Sequence, residues 1–517
     1  MMRQDWIECI LDDLLVLMTN GSSAKQFEEE IGLPISRIET IWNETIDFER
    51  VKYIKESKPE FVEKYQVIKN DILLSHINSD SHLGKTAIYK NEKKVLIHGI
   101  NLLKLRPQPE IIADFLLHQF RFKKIKGDFI AVAQRAVNQS SINQRKLKVF
   151  DFVIAPLPEQ RAIVAKIEEL FSDLDKGVAD LKKAQDQLKV YRQAVLKKAF
   201  EGELTKEWRE QQTNLPTADE LLEQIKEERQ KHYEQQLENW KQAVKSWEEN
   251  GKEGKKPNKP KFLKDPNKIE DGEIESYNNL PNTWLWSRLA NTVVDHSSDI
   301  VDGPFGSNLK STEYQDEGKP ILRIQNIKSN QFIDKNIKYV SNEKYNFLKR
   351  HQFKPNDVIV TKLGDPLGLA CRVPLDFKSG VIVADLIRIR PSSSYINYDW
   401  LTLLINSIVI QSQFRKITKG TTRPRMNLTI MRNVIIPLPS YEEQHQIVKE
   451  IESRLSVCDK VEESITESLE KAKALRQSIF KKAFEGNLLS TQEIEKCKTA
   501  PDYEPAAVLL EKIKMKQ

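Results

Sequence analysis

Residues 192–202 read RQAVLKKAFEG, and residues 476–486 read RQSIFKKAFEG. The match extends in both directions. Gln160 to Leu204 aligns without a gap onto Gln444 to Leu488, with about 18 of 45 positions identical. Just upstream, Pro156-Leu157-Pro158 answers Pro437-Leu438-Pro439. Within the first block, apolar residues fall at Ile163, Ile167, Leu170, Leu174, Val178, Leu181, Leu188, Val195 and Ala199. The second block places them at Ile447, Ile451, Leu455, Cys458, Ile465, Leu469, Ala472, Ile479 and Ala483. Intervals of three, four and seven mark a narrow helical stripe of coiled-coil type. Neither block has an internal proline. Each ends on Lys-Lys followed by Gly202 or Gly486, where a helix C-cap belongs. Two helices of roughly 40 residues, about 60 Å long, follow from this pattern. Neither stripe can be buried alone, so the simplest packing sets one helix on the other. Pseudo-twofold symmetry favours the antiparallel direction.

The flanking segments repeat more faintly. Gly21-Ser22 and Lys25 align with Gly306-Ser307 and Lys310; Pro34, Arg37, Ile38 and Ile41 align with Pro320, Arg323, Ile324 and Ile327. Asn70-Asp71 matches Asn356-Asp357, Arg106-Pro107 matches Arg390-Pro391, and Asn143 matches Asn427. Leu221-Leu222-Glu223 after the first block echoes Leu509-Leu510-Glu511 after the second. The order is therefore domain, helix, tail, written twice. The helical blocks stayed alike while the globular parts kept scattered landmarks, as selection for one scaffold and two recognition surfaces would leave them.

The predicted organisation is an α+β domain over 1–153, a long helix over 154–204, and a charged helix with a flexible Lys/Pro-rich linker over 205–281. A second α+β domain spans 282–435, a second long helix 436–489, and a tail helix 490–517. The 517 residues carry 81 Lys and Arg against 75 Asp and Glu, a net charge of +6 that does not by itself demand nucleic acid. The excess is local. From Arg288 to Arg432 there are 22 basic against 13 acidic residues, whereas residues 1–153 hold 23 against 21. Four cysteines without a CxxC pair fit a reducing compartment. No membrane span or signal pattern is legible, which predicts a cytoplasmic protein.

Four loops combine hydrogen-bond donors with a pliant backbone: 19–25, 134–143, 303–310 and 419–427. Arg and Lys pair with guanine, Asn and Gln with adenine, and Ser or Thr with base or phosphate. The candidate DNA contacts are Ser22, Lys25, Arg37, Arg135, Asn138, Gln139 and Asn143 in the first half. In the second half they are Ser307, Asn308, Lys310, Arg323, Gln325, Lys362, Lys419, Thr421, Thr422, Arg423 and Arg425. Catalytic motifs are missing. Gly84-Lys85-Thr86 resembles the end of a phosphate loop, but Ser79 stands where its first glycine belongs. Asp365-Pro366-Leu367-Gly368 only faintly resembles an adenine methyltransferase signature, and no HExxH, GxSxG or metal spacing occurs.

Two variable domains, each followed by a similar helix, resemble the specificity subunit of type I restriction-modification systems. The most specific marks are PLPEQ at Pro156 to Gln160 and PLPSYEEQ at Pro437 to Gln444. The two KKAFEG runs and GPFGSNLK at Gly303 to Lys310 support it. The resemblance implies two target recognition domains, each reading half of a split, asymmetric duplex sequence, with the helices setting the gap. It implies docking of two methyltransferase subunits, which methylate adenine with S-adenosylmethionine, and of restriction (motor) subunits using ATP and Mg2+. No cofactor and no metal would bind this non-catalytic chain. The competing readings are a coiled-coil assembly scaffold and a fused restriction or methyltransferase component.

Overall fold

The computed structural model describes residues 3, 5–91, 93–135, 140–263, 265–266, 268–275, 277–418 and 424–516. The chain forms two compact units, residues 1–183 with 464–517 and residues 184–463. This division falls inside both long helices, Leu157–Phe200 and Tyr441–Phe484, each 44 residues and about 66 Å long.

The first unit is built on an antiparallel sheet in the order Leu15–Asn20, Leu102–Pro107, Ile72–Ser75, Thr86–Ile88. The second repeats it as Ile300–Asp302, Leu386–Ile389, Val358–Thr361, Ala370–Arg372. The register repeats too: Leu103 faces Asn20, and Ile387 faces Asp302. A second, parallel-containing layer is a full four-stranded sheet in the second unit, where Ile321 lies beside Val381 and Gln352 opposite it. In the first unit it shrinks to the two-stranded ladder of Leu33–Ile35 with Lys52–Ile54, joined to Ile97 only by single bridges from Ile35 and Gln66. The sheets are short strands of β-branched and leucine residues buried on both faces, as at Val358–Thr361.

The faint landmarks have structural reasons. Asp71 accepts two hydrogen bonds from Arg106, at 2.7 and 2.8 Å, and Asp357 accepts two from Arg390, at 2.8 and 2.7 Å. These bidentate pairs tie adjacent strand ends together. Asn70 and Asn356 precede them with φ of 72°, a left-handed turn that asparagine tolerates. Lys104 and Arg388 are buried at the same sheet position and donate to the carbonyls of Gln66 and Gln352, at 2.9 and 2.7 Å. Burial lowers the pKa of both, that of Arg388 to about 10. Gly84, whose run only resembles the end of a phosphate loop, has φ of 75° and lies against the Phe129 ring. Gly368 sits on Phe414 in the same way, so both glycines close a turn beneath an aromatic ring.

The start of each long helix is pinned from inside. Glu159, fully buried, accepts from Trp6 Nε1 at 2.9 Å and Arg3 Nη1 at 2.7 Å. Glu443 accepts from Trp284 Nε1 at 2.8 Å, Arg209 at 2.6 Å and Thr205 at 2.6 Å. The next residue completes the joint: Gln160 accepts from the Ile112 amide and Gln444 from that of Asn397, at 2.9 and 2.8 Å. Each helix ends at a left-handed glycine, Gly202 at φ 79° and Gly486 at φ 78°, with Glu203 and Asn487 amides closing the turn onto Lys198 and Lys482.

Tails complete the cores. In the second unit Leu221 and Ile225 of the helix Ala218–Glu249 join Leu289 and Val293. In the first, Leu509, Leu510 and Ile513 of the helix Ala506–Lys514 join Leu11 and Leu14.

Three expectations need correction. The tail 490–517 holds two helices, Thr491–Lys498 and Ala506–Lys514, because Pro501 and Pro505 break the run. The Lys/Pro-rich linker is no free coil where described. Its backbone returns along the charged helix, accepting from Trp240 Nε1 at Pro257 (3.0 Å) and Trp247 Nε1 at Gly254 (3.4 Å), while Phe262 packs on Tyr233. Boundaries at 153 and 435 cut strands, since Asp151–Ile154 pairs with Ile7–Ile10 and Ile435–Leu438 with Leu285–Arg288.

Among the described residues no helix is long and apolar enough to cross a membrane.

Candidate nucleic-acid interface

In the second unit, three loops meet at one edge of the main sheet. Strand Ile300–Asp302 gives way to Gly303, whose Cα faces the Val383 carbonyl so closely that a Cβ would lie 2.0 Å from its oxygen. The Gly303 amide donates to Leu386 O at 3.1 Å. The chain then turns, the Asn308 amide bonding to Phe305 O at 2.8 Å, and Leu309 re-enters an apolar cluster with Ile321, Val340 and Leu348. Ser307, Asn308 and Lys310 are left exposed on that turn.

Lys362 opens the next loop. Its amide donates to Asp385 O at 2.7 Å, and its carbonyl accepts from the Met426 amide at 2.9 Å. Its ammonium is buried against the Asp302 carboxylate. Leu363 bridges to Arg425, whose mostly exposed guanidinium stands 3.9 Å from Asp385. Two loops that lie more than a hundred residues apart in sequence are thus joined through Lys362 and Asp302.

The first unit keeps this frame and changes its side chains. Asn20 stands at the register position of Asp302, and Gly21 abuts the Gly99 carbonyl at 2.2 Å from its would-be Cβ. Gly21 is therefore the counterpart of Gly303, and the alignment with Gly306 is corrected by three residues. His76 takes the place of Lys362, its carbonyl accepting from the Ile142 amide at 2.9 Å, and Ile77 pairs with Ser141 as Leu363 does with Arg425. Burial lowers the His76 pKa to about 4, so a neutral ring replaces a cation. Across from it, Asp80 holds the Ser140 hydroxyl and lies 3.6 Å from the exposed Arg135.

The remaining candidates divide. Lys25 is exposed near the Phe27 ring, and Gln325 is exposed. Arg37 is paired with Glu39 at 3.4 Å, and Arg323 donates to the Asn336 carbonyl. Ser22 is buried, its amide on His98 O at 2.8 Å and its hydroxyl accepting from Ala24 at 3.1 Å. Asn143 caps the helix Gln144–Lys148 by accepting from the Lys146 amide at 2.9 Å, as Asn427 caps Leu428–Asn433 through Ile430 at 2.8 Å. Those two roles, with that of Lys362, position loops from within. Asn138, Gln139, Lys419, Thr421, Thr422 and Arg423 lie outside the described residues. Asp302, Asp385, His76 and Asp80 had no signal in sequence, because their partners arrive from distant stretches of the chain.

The edge offers donors of both guanine-reading and phosphate-reading type within residues 288–432, where 22 basic residues face 13 acidic ones. Among the described residues no cluster of His, Cys, Asp or Glu suited to a metal occurs.

Comparison with known proteins shows what the whole chain resembles. The family model described as type I restriction modification DNA specificity domain matches residues 4–183 and 304–471, more than half of the chain. The EcoBI type I restriction enzyme specificity subunit of Escherichia coli is 25% identical over 517 residues, 99% of this chain and 92% of that protein. A type I restriction enzyme MjaX specificity subunit of Methanocaldococcus jannaschii is 42% identical over 198 residues, 38% of this chain. That match spans 46% of the MjaX protein, about half its length. A chain from a solved structure concerned with complex assembly and conformational transition of the type I R-M system has the same fold. Its TM-score is 0.64 at 17% identity, covering 94% of this chain and all of that one.

Proposed function

The chain belongs to the type I restriction modification DNA specificity family, and from that premise we propose that its two units read the two unlike halves of one split duplex site. One observation carries the reading. The same sheet edge recurs in both units, yet Asn20, His76 and Ser141 occupy it in one and Asp302, Lys362 and Arg425 in the other. A kept frame with exchanged side chains suits two readers of different base sequence.

The long helices serve as a shared scaffold, packed as an antiparallel coiled coil. Phe171 packs on Phe480 and Asp175 pairs with Arg476 within one unit; Arg192 pairs with Asp459 at 2.7 Å within the other. Residue number rises along one helix as it falls along its neighbour. Two methyltransferase subunits dock on this scaffold and restriction (motor) subunits join them. S-adenosylmethionine, ATP and Mg2+ act on those partners, and this chain supplies duplex recognition without a catalytic group.

Mapping methylated adenines in the host genome, with the gene present and deleted, tests the proposal. The expected motif has two defined runs of bases around an unspecified gap, and it disappears with the gene. A single uninterrupted motif, or one unaffected by deletion, would contradict it. Binding of the full chain to that site should weaken steeply with salt, by about 0.9 log units per log unit of salt for each phosphate contact.

A further inference from the structure

Phe305 is 75% exposed, and no ring or cation contact to it exists among the described residues. Three other exposed aromatic rings have company, Trp42 under Arg50, Phe262 on Tyr233 and Phe347 beside Lys344, while Tyr191, 46% exposed, lies on a long helix away from this sheet edge. Nor is Phe305 on a slack loop. Gly303 is locked against Val383 on one side, Leu309 is buried on the other, and the Asn308 amide closes the turn on Phe305 O. The ring is thus held out on a fixed support, so little ordering entropy opposes its contacts. Lys310 is exposed on the same turn, and Arg425 is mostly exposed on the loop that Lys362 joins to Asp302 at the foot of that turn, in a domain whose sequence carries 22 basic against 13 acidic residues. An apolar wedge framed by cations matches a stacked duplex, with phosphates outside and apolar base faces within.

Building on the DNA-reading function above, we propose that Phe305 inserts between neighbouring base pairs of the half-site read by the second unit and unstacks that step. The first unit lacks the device. Counting from its aligned Gly21, the equivalent position is Ser23. The distortion is therefore one-sided, and the sequence preference at that step comes from its ease of unstacking.

The test uses the full chain alone, so that no methyltransferase flips a base, and duplexes of the mapped site with 2-aminopurine at one position at a time. At saturating protein, fluorescence should rise severalfold at one step in one half-site and nowhere in the other. Phe305→Ala should abolish the rise and weaken binding about tenfold or more, one stacking contact's worth. Phe305→Leu, still a wedge, should keep much of it. Because the side chain is exposed, neither change should disturb folding. If the wild-type chain binds its site and no step brightens, or if Phe305→Ala brightens equally, the wedge is wrong while DNA reading stands. If the wild-type chain shows no preference for the site, both fall together.

Discussion

His76, His98 and His118 are buried in the first unit, and desolvation lowers their pKa values to about 4, 4 and 3. His118 sits edge-on to Phe171 and tilted against Phe480, with the Arg121 and Lys90 cations further disfavouring its protonation. Each folded pKa lies below the ordinary 6.5, so below that pH the unfolded chain binds more protons than the folded one. Stability present above pH 6.5 is lost as pH falls towards 4, by at most about 1.4 kcal/mol per pH unit for each histidine. Resistance of the first unit to urea should therefore fall from pH 7 to pH 5, and less so in a His118→Leu chain. Parallel pH profiles for the two proteins would refute the assignment. At this scale sequence was a partial guide. The Glu-Gln pair of PLPEQ stood out as a pattern, but the indoles of Trp6 and Trp284 that explain it come from remote positions, each just ahead of a strand. Ser22, Asn143 and Lys362 were chosen for their donors, and a linear pattern does not separate a donor offered to solvent from one used in a turn, a cap or a buried ion pair.

Among elements, the long helices were the most legible, because a seven-residue stripe and a terminal glycine are local signals. Observed bounds differ from the expected ones by a few residues. Phe171 escaped because it lies beside the stripe, where Phe480 and the Arg476 guanidinium, 4.5 Å from its ring, receive it. The returning strap after Glu249 escaped because lysine and proline composition predicts solvation, and three aromatic side chains on one helix face override it. The tail helices carry a prediction of their own. Leu509, Leu510 and Ile513 cover Leu11 and Leu14, each such side chain contributing about 1.5–3 kcal/mol on burial. Deleting residues 505–517 should cost the first unit several kcal/mol, much of a typical domain's total. Limited proteolysis would then cut within residues 1–153 while 285–438 stays resistant. Equal resistance of both would show that the tail is dispensable.

For the molecule as a whole, duplication was readable from residue spacing, whereas the identical strand order of the two sheets was not. Short strands buried on both faces carry no alternation to read, and only the three-dimensional register showed Gly21 to correspond to Gly303. That corrected register supports the central claim, that one frame carries two independent readers. The most direct test replaces residues 282–440, which keeps the strand Ile435–Leu438 with its partner Leu285–Arg288, by the corresponding segment of a relative with a different site. Methylated-adenine mapping of the hybrid should show one half of the motif replaced, with the other half and the gap between them unchanged. Replacement of both halves, or of neither, would contradict the account.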